Sequence, residues 1–274
     1  MTKTITANGL TFAYLEEGEG PLVLLLHGFP DTAHTWDDVR PALAKAGYRA
    51  VSPFMRGYLP TEIPADGKYD SDTLGEDVLA LLEAFGGGPA IVVGHDWGAS
   101  AAYSAAGLGP EHIRFLVTVA VPHPAALTPS PRLIWGVRHF FAFKRRNAVA
   151  KTEKDDFAVI DKLIKRWSPA WDVPAEETKP VKDAFRQPGC LNAALGYYRA
   201  LKFTPPASQR KKITMPSVAF AGEQDGVLKV KDYHKAKKMY AADYQVVAMP
   251  GGHFLHREHP TRFIDELIAV LPAA

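Results

Sequence analysis

The chain has 274 residues, 47% of them hydrophobic with tyrosine counted and 23% charged, which suits one domain or one domain with a large insertion and excludes a disordered or collagen-like chain. Its 32 Lys and Arg against 30 Asp and Glu leave a formal charge of +2, too small to make nucleic acid the expected partner. A single cysteine, Cys190, excludes an intrachain disulfide and a four-cysteine zinc site.

Met1-Thr2-Lys3-Thr4 leads into a polar, strand-like segment without an apolar leader core, so a cytoplasmic protein is expected. Thr4 to Glu16 alternates around Asn8-Gly9, a hairpin signal. Leu22 to Leu26 is a continuous apolar run, long enough for a strand covered on both faces and too short to span a bilayer, so no membrane partner is expected. Pro41 to Ala46 predicts a helix and Tyr48 to Ser52 a strand. Thr73 to Phe85 has apolar residues at helical spacing (Leu74, Val78, Leu81, Leu82, Phe85) and stops at Gly86-Gly87-Gly88. Ala90 to Val93 reads as a strand. It runs through Gly94-His95-Asp96-Trp97-Gly98 into a small-residue helix from Ala99 to Ala106, and Phe115 to Val121 is a further strand. The alternation predicts an α/β fold, a mostly parallel, doubly wound sheet with helices on both faces.

From Pro131 to about Arg210 the chain reads as helical and irregular, with three of the five tryptophans (Trp135, Trp167, Trp171). Alternation resumes with a strand from Val218, a helix from Val230 to Tyr240, a strand from Tyr244 to Met249 and a helix from Thr261 to Leu271. The expected organisation is a sheet domain of residues 1–126 and 211–274 with residues 127–210 inserted. Charge divides the same way. Residues 131–210 carry 16 Lys and Arg against 8 Asp and Glu, net +8, and the remainder is net −6. The excess reads either as solvated helix faces or as a basic cover that favours anionic substrates.

Gly94-His95-Asp96-Trp97-Gly98 has the form Gly-x-Asp-x-Gly between a strand and a helix, a sharp turn that projects its central side chain at the top of a sheet. The central residue is usually serine. Asp96 is already ionised at neutral pH, and it suits attack on an electrophilic sp3 carbon, where an alkyl ester forms. His253, after the last predicted strand, can activate the water that hydrolyses such an ester. Asp225, in Gly222-Glu223-Gln224-Asp225-Gly226, can hold the other imidazole N–H, with Glu223 as its rival. Chain order is then nucleophile, acid, histidine. The backbone N–H groups of Phe29, in His27-Gly28-Phe29-Pro30, and of Trp97 are candidates for an oxyanion hole. His253, His256 and His259 recur every third residue, but Arg257 and Pro260 interrupt them, and neither a metal nor a cofactor is expected.

These residues, with Arg56-Gly57-Tyr58 and Gly252-His253-Phe254, resemble the α/β-hydrolase superfamily and, within it, the aspartate-nucleophile branch of epoxide hydrolases and haloalkane dehalogenases. The resemblance implies that the insertion is a helical cap over the site. Epoxide opening needs a proton donor, supplied in the family by cap tyrosines. Leu195-Gly196-Tyr197-Tyr198-Arg199 resembles the segment carrying one of them, with Tyr198 the candidate and Tyr197 its rival. The other family tyrosine is expected between Trp135 and Phe143, where there is none, and His139 is the substitute donor there. Halide release needs only N–H donors. Trp97 suits both branches, whereas Phe29 stands where the dehalogenase branch often has Asn. The implied activity is cofactor-free opening of an epoxide to a vicinal diol through an ester on Asp96. The alternatives are a haloalkane or haloacid dehalogenase using the same aspartate, and a non-catalytic ligand-binding protein of this fold. Substrate contacts are expected from His27, Trp36 (at the pocket rim), His139 and Tyr197. The expected partner is a small-molecule substrate, and the expected state a monomer or homodimer.

Overall fold

The computed structural model describes residues 1–202 and 204–274. Strands β1 (Lys3–Ala7) and β2 (Leu10–Glu17) form the hairpin. Its two-residue turn puts Asn8 at φ 45° and Gly9 at φ 73°, the primed conformation that an Asn-Gly pair accommodates. The other strands are β3 (Leu22–Leu26), β4 (Arg49–Pro53), β5 (Ala90–His95), β6 (Ile113–Val119), β7 (Ser217–Gly222) and β8 (Tyr244–Met249). Together they make one eight-stranded sheet in the order β1-β2-β4-β3-β5-β6-β7-β8. Only the β1–β2 and β2–β4 pairings are antiparallel.

The apolar run of β3 serves both faces. Val23 and Leu25 pack with Ile91 and Val93 under α1 (Val39–Lys45) and the C-terminal helix Pro260–Val270. Leu24 and Leu26 face the opposite core with Val92, below α2 (Ser71–Ala84) and α3 (Trp97–Leu108). This two-residue alternation places helices on both faces of the sheet.

Among the described residues, five α-helices lie between β6 and β7: α4 (Pro131–Gly136), α5 (His139–Phe143), α6 (Ala148–Trp167), α7 (Ala175–Arg186) and α8 (Cys190–Ala200). Helix α6 is broken where Asp155, Asp156 and Phe157 turn left-handed, at φ between 51° and 61°. After β7 come α9 (Val230–Lys235), α10 (Leu255–Glu258) and α11 (Pro260–Val270). The helix expected from Val230 to Tyr240 is shorter, ending at Lys235 and tightening into a 3-10 turn at Ala236–Met239.

The insert is anchored to the sheet domain by charged groups. Arg257 in α10 donates to Asp31, in the loop after β3, at 2.9 Å and to Glu177 of α7 at 2.8 Å. The loop after β4 is fixed differently. Arg56 grips Asp77 of α2 through two bonds of 2.6 Å, both side chains are buried, and Asn8 adds a third bond to the carboxylate at 2.7 Å. The Arg56 carbonyl in turn accepts the Tyr197 hydroxyl of α8 at 2.8 Å. Removing Asp77 leaves the buried Arg56 with only the exposed Asp66 carboxylate, 3.8 Å away. Asp77→Ala is therefore expected to lower the urea-unfolding free energy by about 3–5 kcal/mol. Loss of under about 1 kcal/mol, the range of exposed pairs, would contradict this account.

Candidate functional site

The site gathers at the C-terminal ends of the parallel strands, where open α/β sheets carry their ligands. Asp96 follows β5 at φ 51°, ψ −115° and caps α3. That conformation costs a non-glycine residue on the order of 1–3 kcal/mol, and its neighbours hold it. A Cβ on Gly94 would lie 2.4 Å from the Gly98 carbonyl oxygen, and one on Gly98 would lie 2.3 Å from that of Leu26. The strand–helix turn thus closes only with hydrogen at both positions.

Two other loops reach the Asp96 carboxylate. The Phe29 N–H donates to Oδ1 at 2.9 Å, and His253 Nε2 lies 3.3 Å from Oδ2. His253 Nδ1 lies 3.2 Å from Asp225 Oδ2. Asp225 Oδ1 accepts the amides of Val227 and Leu228 at 2.6 and 2.9 Å, so both of its oxygens are committed. Glu223, the sequence rival, is exposed. Trp97 is the first residue of α3, where backbone N–H groups have no helical acceptor.

Electrostatics follow from this sandwich. Burial disfavours the His253 imidazolium, but the bonds to Asp225 and Asp96 outweigh it and raise the pKa to about 10. Burial would raise the Asp96 pKa, yet its bond and charge interaction with His253 leave it lowered. His253 thus sits between two carboxyl groups whose bonds favour its protonated form. Beneath it, His95 Nε2 donates to the His253 carbonyl at 3.0 Å, and burial lowers the His95 pKa to about 4.

The end of α6 reaches into the same loops. The Trp167 carbonyl accepts the amides of Gly226 and His253 at 3.0 and 3.2 Å. Ser168 Oγ accepts the Phe254 amide and donates to Glu258, which also accepts the Gly252 amide. A Cβ on Gly226 would meet the Arg166 carbonyl at 2.0 Å, and one on Gly252 would meet Ser168 at 2.5 Å. The acid loop and the histidine loop are therefore spaced by the insert. Trp167, Ser168 and Glu258 carry no local sequence signal for this role, because partners 59 to 90 residues apart become neighbours only in the fold.

The other predicted residues divide. Tyr198 faces the site. Its ring lies 5.2 Å from Phe29, 5.3 Å from Trp97 and 5.6 Å from His139. Burial and then the Asp96 charge hold its pKa well above the usual value, so it remains a protonated donor. Tyr197 points elsewhere, since successive helical residues diverge by about 100°, and its hydroxyl is spent on Arg56. His139 is buried, and its Nδ1 lies 3.0 Å from Arg166 Nη2. Burial, then the Arg166 charge, lowers its pKa to about 3, so the ring is neutral.

His27 is not free for substrate. Its Nε2 accepts the Met55 amide at 2.9 Å, which leaves Nδ1–H for the Gly28 carbonyl at 3.0 Å, and the ring clips two loops together. Trp36 is not at a pocket rim. It is fully buried on the α1–α11 face, tilted against His256 at 4.8 Å, because the turn after Thr32 carries it beneath the sheet. Two grooves of about 330 and 810 Å³ open on the insert's outer surface, neither lined by Asp96, Tyr198 or His253. The Asp96 side chain is only 17% exposed.

A histidine whose folded pKa is raised stabilises the fold fully below its unfolded pKa of about 6.5 and loses that contribution as pH rises through the folded value. The melting temperature of the wild type should therefore fall more steeply between pH 6.5 and pH 10 than that of His253→Gln. Parallel melting curves for the two proteins across this window would refute the raised pKa.

Comparison with known proteins agrees with the architecture. Residues 21–260 match the family model described as alpha/beta hydrolase fold. The chain is 30% identical over 272 residues to the AB hydrolase superfamily protein YfhM of Bacillus subtilis (strain 168), covering 96% of this chain and 95% of that one. It is 30% identical to an epoxide hydrolase of Caballeronia sordidicola, covering 97% and 92%. The crystal structure of epoxide hydrolase VrEH1 from Vigna radiata superposes with a TM-score of 0.81 at 29% identity, covering 99% and 98%. With a doubly wound sheet, a glycine-flanked turn after its central strand and a family match spanning most of its length, this chain belongs to the α/β-hydrolase fold family.

Proposed function

We propose that the protein opens an epoxide to a vicinal diol through a covalent ester on Asp96, with residues 127–210 as the cap over the site. The observation that carries this reading is an ionised carboxylate at the strand–helix turn, bonded to the Phe29 amide and facing a histidine whose other nitrogen is held by Asp225. The epoxide hydrolases among its relatives support the substrate class.

In the first step an Asp96 oxygen attacks an oxirane carbon, the C–O bond breaks, and the Tyr198 hydroxyl gives its proton to the departing oxygen. Esterification removes the negative charge from Asp96. His253 then loses one of the two carboxylates that raise its pKa, so the imidazolium can release its proton to the phenolate, directly or through water. The charge change thus converts His253 into a base only after the ester exists. In the second step neutral His253 takes a proton from water, and the hydroxide attacks the ester carbonyl. The tetrahedral oxyanion is stabilised by the backbone N–H groups of Phe29 and Trp97. Collapse expels the diol oxygen, which takes the proton back from His253, and the new Asp96 carboxyl group passes its own water-derived proton to the neutral imidazole, restoring the starting charges. Phe29 and Phe143, packed at 5.3 Å, line an apolar wall that limits stray water.

A single turnover of styrene oxide in heavy-oxygen water should give a diol whose new oxygen comes from Asp96 and is unlabelled; immediate full labelling would rule out the ester. His253→Gln should accumulate an adduct of the substrate's mass on the Asp96 peptide. Tyr198→Phe should lose about 10²- to 10⁴-fold in kcat/KM, the usual value of a positioned acid. Release of halide from a haloalkane without diol formation from the epoxide would select dehalogenation in its place.

A further inference from the structure

Arg166 precedes Trp167 in α6 and is half-buried. Its Nη2 donates to His139 Nδ1 at 3.0 Å, while its Nε is buried without a hydrogen-bond partner. The His139 ring packs 5.6 Å from Tyr198, and the Trp167 ring packs 5.1 Å from His253. The guanidinium is thus one side chain away from both the proposed proton donor and the proposed base. Arg138, just before α5, lies over the Trp135 ring at 4.2 Å and donates to the Trp135 carbonyl. The two cations sense one another: burial first, then the Arg138 charge, depresses the Arg166 pKa.

Neither arginine has a carboxylate within 4.0 Å among the described residues. The buried Arg56 and Arg40 and the nearly buried Arg257 are paired, with Asp77, with Asp37, and with Asp31 and Glu177 respectively. A half-buried guanidinium with an unpartnered Nε and no counter-ion gains when an anion bonds to it. Guanidinium forks match carboxylate geometry, and the net +8 of residues 131–210 acts in the same direction.

We propose that Arg166, aided by the charge of Arg138, forms an anion-binding site beside His139 and Tyr198, and that the substrate is an epoxide carrying a carboxylate on the side of the ring away from Asp96. This rests on the reading of Asp96 as the nucleophile. His139 is a positioning residue here: as a neutral acceptor it holds Nη2 without neutralising the guanidinium.

The test compares kcat/KM for 4-carboxystyrene oxide with that for its methyl ester at low ionic strength, in the wild type, Arg166→Gln, Arg166→Lys and Arg138→Gln. Quenching of tryptophan fluorescence by phenylacetate and by phenylacetamide gives a binding readout independent of turnover. The wild type should favour the carboxylate over the ester, and phenylacetate over its amide, by roughly tenfold or more. Arg166→Gln should bring both ratios close to unity, Arg166→Lys should keep part of each, and Arg138→Gln should fall between. Added salt should erode the wild-type ratios. Ratios near unity in the wild type, or a preference that survives Arg166→Gln, overturn the proposal. If neither epoxide turns over while the phenylacetate preference persists and requires Arg166, the anion site stands and the epoxide reading fails.

Discussion

The molecule turns on one imidazole held between two carboxylates. His253 meets Asp96 across 157 residues of chain and Asp225 across 28, and each contact fixes one ring nitrogen. Ordering three distant segments carries an entropic cost that local structure cannot meet. It is offset by a parallel sheet, which delivers the ends of β5, β7 and β8 to one edge, and by the charge alternation itself. An imidazolium is tolerated at this depth only because it is flanked on both sides. Whatever neutralises one flank changes what the ring can do, so electrostatics and reaction order become the same property of the site.

The helical insert does more than lie over the sheet. The last turn of α6 is wedged between the loop that carries Asp225 and the loop that carries His253, and a single carbonyl, that of Trp167, accepts an amide from each. Gly226 and Gly252 are required there because the backbones approach too closely for a side chain. Arg257 ties α7 to the loop after β3 in the same region. Movement of the insert would therefore be felt at the distances between the acid, the histidine and Asp96. The insert and these three side chains are mechanically linked.

Much of this was legible in the chain. The continuous apolar runs of β3 and β5, the Asn-Gly hairpin, the glycine-flanked Asp96 and the order Asp96, Asp225, His253 all follow from local rules that the fold respects. What was not legible depended on direction. Trp36 sits close in sequence to the Phe29 loop, yet it turns under the sheet into the opposite core. Tyr197 and Tyr198 are indistinguishable by type and spacing, and only the phase of α8 separates them. His27 looked available for a ligand, but two backbone bonds consume its ring. The break in α6 lies at Lys154-Asp155-Asp156-Phe157, a stretch with neither glycine nor proline to announce it. Arg166, Ser168 and Glu258 have unremarkable neighbours in sequence, and their partners come from other elements.

The turn at Asp96 has a wider implication. Its backbone is shaped by glycines on either side and by the strand beneath, and none of the contacts that force it involves the identity of the central side chain. The mount is indifferent to the chemistry it presents. A hydroxyl nucleophile would stand in the same place, but it would stand beside an imidazole deprived of one of its two anionic neighbours. Exchange of one reaction class for another on this scaffold is thus geometrically cheap and electrostatically expensive. The barrier to new activity lies in the charge pattern around the turn rather than in its shape.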